Sequence, residues 1–310
     1  MSRKGLILFL IAGTAWGLPY LFIRIAVEDF STWTIVFTRV VIGAAVLIPI
    51  ALNLKVLVPA LKAWKYVLAY AVIEMVGPWF LITEAERVIN SGLAGLLVAT
   101  VPFFGLMLGL FYQKDKSLAH PKTLAGLVIG FAGVILLVGI DALSGHISLP
   151  HVLMIILAAL GYSIAPVIVA TKIPHVSGVA VNGLAMAIVA VVYAVPAAIN
   201  IPSEIAASPS LDSILSIVGL GVICSAIAFV AFFRLVREIG STRATLVTYM
   251  NMAVAVLLGI VLLSEPITPG ILVGFPLVII GSVLATRKHA SKKLASKKLS
   301  AKESDNEVSA

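Results

Sequence analysis

The chain has 310 residues, of which 61% are hydrophobic and only 12% are charged. A soluble domain carries about 25% charged residues and no more than about half apolar ones. This composition therefore excludes a soluble globular protein and indicates a protein of the lipid bilayer. The net charge of +8 does not indicate a nucleic-acid partner, because the basic residues are distributed as membrane topology requires.

Ten apolar runs follow one another along the chain, and each is close to the roughly 20 residues that a helix needs to cross a membrane. They predict an all-α membrane protein with ten transmembrane helices. The predicted spans are residues 5–27, 33–54, 66–86, 91–112, 122–140, 149–171, 177–199, 213–235, 242–264 and 268–286. The first run starts like a signal peptide but continues too far and shows no convincing cleavage site, so we expect it to be retained as span 1.

The basic residues predict the orientation of these spans. If the N-terminus is cytoplasmic and the spans alternate in direction, every Lys and Arg except Arg24, Arg39 and Arg87 falls on the cytoplasmic side. This positive-inside bias predicts a multi-pass protein of the plasma (inner) membrane with both termini in the cytoplasm. Residues 287–310 are polar and rich in lysine, which predicts a basic, disordered cytoplasmic tail. Contact of its Lys pairs with anionic lipid is the alternative interpretation.

The sequence repeats itself. Residues 87–109 (RVINSGLAGLLVATVPFFGLMLG) and 237–259 (REIGSTRATLVTYMNMAVAVLLG) are similar at an offset of 150 positions. A repeat of five spans has an odd number of crossings, so the second copy must be inserted upside down relative to the first. Inverted repeats are typical of secondary transporters. We therefore predict two inverted five-helix repeats, at residues 5–140 and 149–286.

Four stretches carry a resemblance to a known family. They are FTRVVIGAAVLIPIAL, AERVINSGLAGLLVATVPFF, KTLAGLVIGFAGVILL and SEPITPGILVGFPLVIIGSVLA. In their order and spacing they resemble the drug/metabolite transporter superfamily, EamA type, over nearly all of residues 5–286. The resemblance implies ten helices around a cavity lined by spans 1, 3, 4, 6, 8 and 9, and export of amino acids and other small metabolites. One position departs from the family, because Met252 stands where span 9 usually carries a proline.

Glu74 is the single acid in the middle of span 3. It lies about 12 residues, or about 18 Å, from Glu86, which places it near the middle of the membrane. An acid at this depth is costly and is by default a functional residue. On an α-helical wheel it lies on the face opposite Trp79, Thr83 and Glu86. Two interpretations stay open: an acid packed between helices within reach of Arg39, or a site for proton coupling or a substrate amine.

The other candidates are aromatic and polar side chains within the spans. Aromatic rings can stack on a solute, and hydroxyl or amide groups at this depth bind a polar ligand or a neighbouring helix. Arg39 either satisfies helix-end carbonyls or an acid, or binds a carboxylate through its planar fork. The candidates for substrate binding are Trp16 and Tyr20 in span 1, Trp79, Thr83 and Glu86 in span 3, Tyr162 in span 6, and Thr248, Tyr249 and Asn251 in span 9.

The sequence shows no catalytic or cofactor signature. No histidine pairs with a glutamate or cysteine at metal-ligand spacing, and there is no nucleophile elbow or Walker A loop, so we expect no enzyme, no metal and no cofactor. We predict a secondary transporter that exports amino acids or related compounds by alternating access. Its partners would be a small-molecule substrate and membrane lipid, and it would act as a monomer or homodimer. The alternatives are a non-transporting sensor or assembly subunit, and an exchanger of nucleotide-sugar type.

Overall fold

The computed structural model describes residues 2–111, 121–143, 148–239, 244 and 247–286, and every regular element in these ranges is a helix. In chain order the helices are α1 (Arg3–Ala26), α2 (Thr32–Asn53), α3 (Leu57–Lys62), α4 (Trp64–Ala85), α5 (Ser91–Val98), α6 (Val101–Phe111), α7 (Pro121–Leu143), α8 (Leu149–Lys172), α9 (Gly178–Ala206), α10 (Leu211–Ile239), α11 (Val247–Leu262) and α12 (Pro269–Thr286). The predicted tail, residues 287–310, lies outside the described residues.

Seven of the described segments are long and apolar enough to cross a membrane. They are α1, α2, α4, α5 together with α6, α8, α9 and α10. The other three predicted spans fall on α7, α11 and α12, whose apolar stretches are shorter within the described residues. The prediction of an all-α membrane protein is therefore confirmed for this part of the chain.

Serine side chains fix the start of three of these helices. Ser2, Ser31 and Ser210 each stand directly before a helix, and each Oγ accepts a hydrogen bond from the backbone N–H three residues later. The first N–H groups of a helix have no partner within it, and a serine at this position satisfies one of them. These caps set where α1, α2 and α10 begin.

Two membrane helices contain a π-helical segment, at Val72–Val76 in α4 and at Leu220–Ile227 in α10. A π turn pairs each residue with the fifth one along the chain, so it rotates everything that follows around the helix axis. Pro78 follows the first segment. Because proline clashes with the carbonyl four residues earlier and cannot donate to it, a wider turn before it relieves the helix. Shifted by the repeat offset of 150, the first segment falls inside the second.

Close crossings join the first half of the chain (residues 2–143) to the second half (residues 148–286). Gly13 of α1 faces Met250 of α11, and a Cβ on this glycine would overlap the methionine side chain. Gly281 of α12 faces Gly130 of α7, where a Cβ would overlap backbone atoms. Small residues at such crossings let helix backbones approach and are common in membrane proteins. Helices of the two halves therefore pack directly on each other.

Candidate functional site: a cavity between the two halves

A cavity of about 270 Å³ lies between the two halves. Its walls come from α1, α2, α4, α5 and α6 of the first half and from α8, α10 and α11 of the second. These helices include all six spans that the family resemblance implied, and α2 adds Arg39. Pockets for drug-sized ligands measure about 300–1,000 Å³, so this cavity has the size for a smaller metabolite.

Aromatic side chains from both halves line the cavity. Trp16 and Tyr20 reach it from α1, Trp79 from α4, Tyr162 from α8 and Phe229 from α10. The rings of Trp16 and Phe229 meet edge to face with centroids 5.4 Å apart, which is a favoured geometry for an aromatic pair. The cavity therefore offers flat apolar surfaces on which part of a solute can pack.

Arg39 of α2 brings a positive charge to the cavity, although the residue is only 8% exposed. Its guanidinium lies over the Trp79 ring, 3.7 Å from the centroid, and its Nε donates to Oγ of Ser225 at 3.0 Å. The Ser225 hydroxyl donates in turn to the carbonyl of Leu220 at 2.9 Å. Among the described residues no carboxylate lies within 4.0 Å of this guanidinium. A ring and a hydroxyl thus orient the charge without neutralising it.

Glu74 brings a carboxyl group to the same cavity from the π segment of α4. Its Oε2 is buried and has no hydrogen-bond partner in the described part of the chain. Glu74 and Arg39 do not form an ion pair in the structure. The Arg39 guanidinium contacts Ser225 and Trp79 instead. The cavity therefore contains an acid and a base that are not paired with each other, and ionisable residues at such depth mark functional sites.

The π segment also explains an error of the α-helical wheel. The wheel places Glu74 and Trp79 on opposite faces of span 3, whereas both line the cavity. They are five positions apart, and the wider turn of the π segment that contains Glu74 brings residues at this spacing closer to one side of the helix. Thr83 and Glu86 are 1% and 0% exposed and are not among the residues that line the cavity. Their contact with a substrate stays a prediction.

The polar residues predicted in span 9 lie on α11. Thr248 and Asn251 line the cavity, and Tyr249 lies between them in sequence, with a side chain outside the described part of the structure. Six of the nine predicted substrate-binding residues therefore surround one cavity, together with Glu74 and Arg39. They are Trp16, Tyr20, Trp79, Tyr162, Thr248 and Asn251. That these residues bind a substrate stays a prediction.

Some residues of the site gave no signal in the sequence. Ile82, Val98, Val101 and Phe229 line the cavity, but each is an apolar residue in an apolar span, and periodicity cannot separate it from lipid-facing neighbours. Ser225 was missed for a related reason. It is one serine in an apolar run, and the arginine that it binds lies 186 positions away.

Comparisons with known proteins identify relatives over most of the chain. The model of the EamA-like transporter family matches twice, at residues 3–139 and 149–287. The "Uncharacterized inner membrane transporter YedA" of Escherichia coli strain K12 is 30% identical over 250 residues, which cover 79% of this chain and 78% of that protein. A "Probable amino-acid metabolite efflux pump" of the same strain is 26% identical over 164 residues, 53% of this chain and 52% of that protein.

A solved structure shares the fold. It is a chain described as "Crystal structure of protein", with 20% sequence identity and a TM-score of 0.61. The superposition covers 92% of this chain and 97% of the other. At this level of identity the likeness establishes the arrangement of helices and nothing about a ligand.

Proposed function

Because this chain belongs to the EamA-like transporter family, we propose that it is a secondary transporter that exports a small metabolite, an amino acid or a related compound, across the inner membrane by alternating access. The observation that carries the proposal is the cavity between the two halves, where Arg39 and Glu74 are both present and are not paired with each other. An acid and a base that are buried in a membrane protein without partners are costly, and a ligand with complementary groups would reduce this cost.

The carboxylate and the ammonium group of an amino acid complement the two ionisable side chains of the cavity. The planar guanidinium of Arg39 can bind a carboxylate through two parallel hydrogen bonds, and the carboxyl group of Glu74 can bind an ammonium group. Thr248 and Asn251 add hydrogen-bonding groups from the opposite half. The name of the Escherichia coli efflux pump supports this substrate class. A nucleotide sugar fits less well, because Arg39 is the one basic side chain among the described residues that line the cavity.

We also propose the finer architecture of ten spans in two inverted five-helix repeats, with both termini cytoplasmic. Two family matches of similar length divide the chain, and each half carries a π segment at the corresponding place in the sequence repeat. Pro19 and Pro166 both line the cavity, each from the first helix of its half. Two inverted halves can rock about a site between them and expose it to either side of the membrane.

Flux through the purified protein in liposomes tests this function. The liposomes are loaded with a panel of amino acids and related metabolites, and efflux is followed with and without a pH gradient. We expect efflux of at least one solute, with a rate about fivefold lower in Thr248→Val, which removes one hydrogen-bonding group of about 1 kcal/mol from the cavity. Thr171→Val is the matched control, because the Thr171 hydroxyl is exposed and donates to the carbonyl of Val167 in its own helix.

The sensor alternative predicts a different result. A sensor would be stabilised against thermal unfolding by one of the solutes, yet none of the panel would leave the liposomes. That combination would overturn the transporter proposal. Efflux that does not respond to a pH gradient would support the transporter proposal and contradict proton coupling through Glu74.

A further inference from the structure

At one end of the molecule, carboxylates bind helix starts across the two halves. This end, which we call the acidic end, carries the connections at residues 27–31, 86–90, 207–210 and 263–268. Oδ2 of Asp29 accepts from the backbone N–H of Ser210 at 2.9 Å and from its hydroxyl at 2.6 Å. Oε1 of Glu204 accepts from the backbone N–H of Ser31 at 2.8 Å. In each pair the acid and the helix start belong to different halves.

Glu265 makes the third and most complete of these contacts. Its Oε1 accepts from the N–H of Ser91 at 2.7 Å, and its Oε2 accepts from the N–H of Gly92 at 3.0 Å. Both donors lie in the first turn of α5, where free N–H groups and the helix dipole favour a negative charge. Because Glu265 belongs to the second half and α5 to the first, this contact, the Glu265 latch, ties the two halves together.

Glu86 lies within electrostatic range of Glu265 and is buried. The residue is 0% exposed, and neither Oε1 nor Oε2 has a hydrogen-bond partner among the described residues. The hydroxyl of Ser91 is also buried without a partner. A Cβ on Gly259 would collide with Oε2 of Glu265 and lie 3.0 Å from Oγ of Ser91. Both oxygens therefore lie close to Gly259. Two unpartnered polar groups therefore adjoin the latch.

The charged groups around Glu86 do not neutralise it. Within the described residues no cation lies within 4.0 Å of its carboxyl group, and Arg87, the next residue, pairs with Glu84 at 3.3 Å. An ionised carboxylate that is buried without a partner is strongly unfavourable, whereas two backbone N–H groups stabilise Glu265 as a carboxylate. Glu86 is therefore the neutral member of the two acids in this closed arrangement. The groups that interact with it through their charge are Glu265, Arg24, Arg39 and Tyr20.

Glu86 also lies close to the cavity. Ile82, one helical turn earlier in α4, is a lining residue, and Tyr20, another lining residue, is within electrostatic range of the Glu86 carboxyl group. Its sequence neighbours Ala85 and Ile89 are also buried, at 0% and 3% exposure. A movement that opens the Glu265 latch would therefore open the cavity toward the acidic end and bring water to Glu86.

We propose that Glu86 is a proton-binding site linked to the Glu265 latch. The site holds a proton while the acidic end is closed and releases it when opening admits water. This inference rests on the proposed function, because it requires the two halves to separate at this end. Closing takes up a proton, so acid pH favours the closed form and alkaline pH favours the open form.

Cysteine labelling tests the proposal without any transported solute. Ile89→Cys places a thiol at a position that is 3% exposed and lies two residues before Ser91, whereas Val88→Cys places one where the native residue is 57% exposed. Each protein is reconstituted in nanodiscs and reacted with a maleimide at pH values from about 5 to about 8. The Val88→Cys rate corrects for the pH dependence of thiol chemistry itself. The unsubstituted protein gives the background, since its one cysteine, Cys224, is buried.

We expect the ratio of the two labelling rates, Ile89→Cys to Val88→Cys, to rise at least about tenfold over this range, because one linked proton shifts an equilibrium by up to tenfold per pH unit. Adding Glu86→Gln should remove the pH dependence, and adding Glu84→Gln, the matched control on the same helix, should leave it in place. Adding Glu265→Gln should raise the ratio at every pH, because the latch is lost.

Three results would overturn the proposal. They are a ratio that does not change with pH, a pH dependence that persists in Glu86→Gln, and a ratio that responds to sodium ions and not to protons. If Glu86→Gln does not fold, the pH profile of Ile89→Cys with native Glu86 still decides, because a flat profile contradicts a linked proton. Because the labelling experiment does not measure flux, it can refute the proton-binding proposal without refuting the proposed transport function.

Discussion

The two π-helical segments occupy the same place in the two halves, yet they carry different chemistry. In the first half, the segment presents Glu74 to the cavity. The residue 150 positions later is Cys224, which is buried and is not among the lining residues. Its neighbour Ser225 accepts a hydrogen bond from Arg39 of the first half. The backbone irregularity is therefore common to both halves, whereas only the segment of the first half carries a carboxyl group.

This difference shows how a repeated fold can build an asymmetric site. The first half supplies both ionisable groups, Arg39 and Glu74, and the second half supplies the polar groups Ser225, Thr248 and Asn251. Because the bond between Arg39 and Ser225 joins the two halves, a movement of one half against the other would change how the Arg39 guanidinium is held. Substitutions at the two segments should therefore have unequal effects.

The largest effect is expected from exchanging the acid of the first segment. Glu74→Gln removes the ionisable carboxyl group to which we assign proton coupling or binding of a substrate amine, and it should lower the initial efflux rate at least about tenfold, a change of about 1.4 kcal/mol. Cys224→Ala, at the corresponding place in the second half, should keep the rate within about twofold. Initial efflux rates from proteoliposomes compare the two variants, and equal effects would contradict the asymmetry.

The next effect is expected at Ser225, where the second segment meets Arg39. Ser225→Ala leaves the Nε of a buried guanidinium without its acceptor, and a hydrogen bond to a charged group contributes about 1.5–3 kcal/mol. We expect a lower midpoint of thermal unfolding in detergent, together with weaker solute binding. Ser163→Ala is the control, because the Ser163 hydroxyl donates to the carbonyl of Leu160 within its own helix. A Ser225→Ala protein as stable as this control would refute the role assigned to the bond.

A smaller effect is expected from the ring beneath Arg39. A buried cation–π contact contributes about 0.5–2 kcal/mol, and tryptophan is the strongest partner. Trp79→Phe keeps a weaker ring and should raise the KM for the transported solute about twofold to fivefold, whereas Trp79→Leu removes the ring and should raise it further. Measured efflux against solute concentration gives both values. The reverse order, or no difference, would show that the ring does not orient the guanidinium.

The smallest effect is expected outside the membrane, where Asp29 joins the halves. The hydroxyl and then the backbone N–H of Ser210 donate to this carboxylate and lower its pKa. Because the folded pKa is below the unfolded one, the stabilisation is present above the ordinary pKa of an aspartate and is lost as the pH falls through the lowered value. Asp29→Asn should slightly lower the midpoint of thermal unfolding at neutral pH. At a pH below the lowered pKa of Asp29, the substitution should leave the midpoint unchanged. Glu28→Gln is the control.

The sequence predicts the helices well, because the length of each apolar run limits where a helix can lie. Each predicted span overlaps described helices, although residues 91–112 form two helices, α5 and α6, in place of one, and Ser31 caps the start of α2. The π segments were not predicted. Pro78 hints at an irregularity in α4, but no proline lies in the segment Leu220–Ile227 of α10. A helical wheel of constant pitch leaves out the π segments, and it therefore places Glu74 and Trp79 on opposite faces. In the structure both residues line one cavity.

The candidate site was predicted where a residue stands out from its surroundings. Glu74, Arg39 and the aromatic residues do so, because charge and ring size are unusual in an apolar span. Contacts across the halves could not be predicted in the same way. The bond between Arg39 and Ser225 and the latch between Glu265 and α5 join residues far apart in sequence, and only the packing of the helices brings them together.

The most direct test of alternating access asks whether one residue of the cavity can be reached from both sides of the membrane. Thr248→Cys places a thiol in the cavity, and a membrane-impermeant thiol reagent is applied to right-side-out and to inverted vesicles. We predict labelling from both faces, slowed in each case by the transported solute. Labelling from one face only, with flux intact, would contradict a cavity that opens to each side in turn.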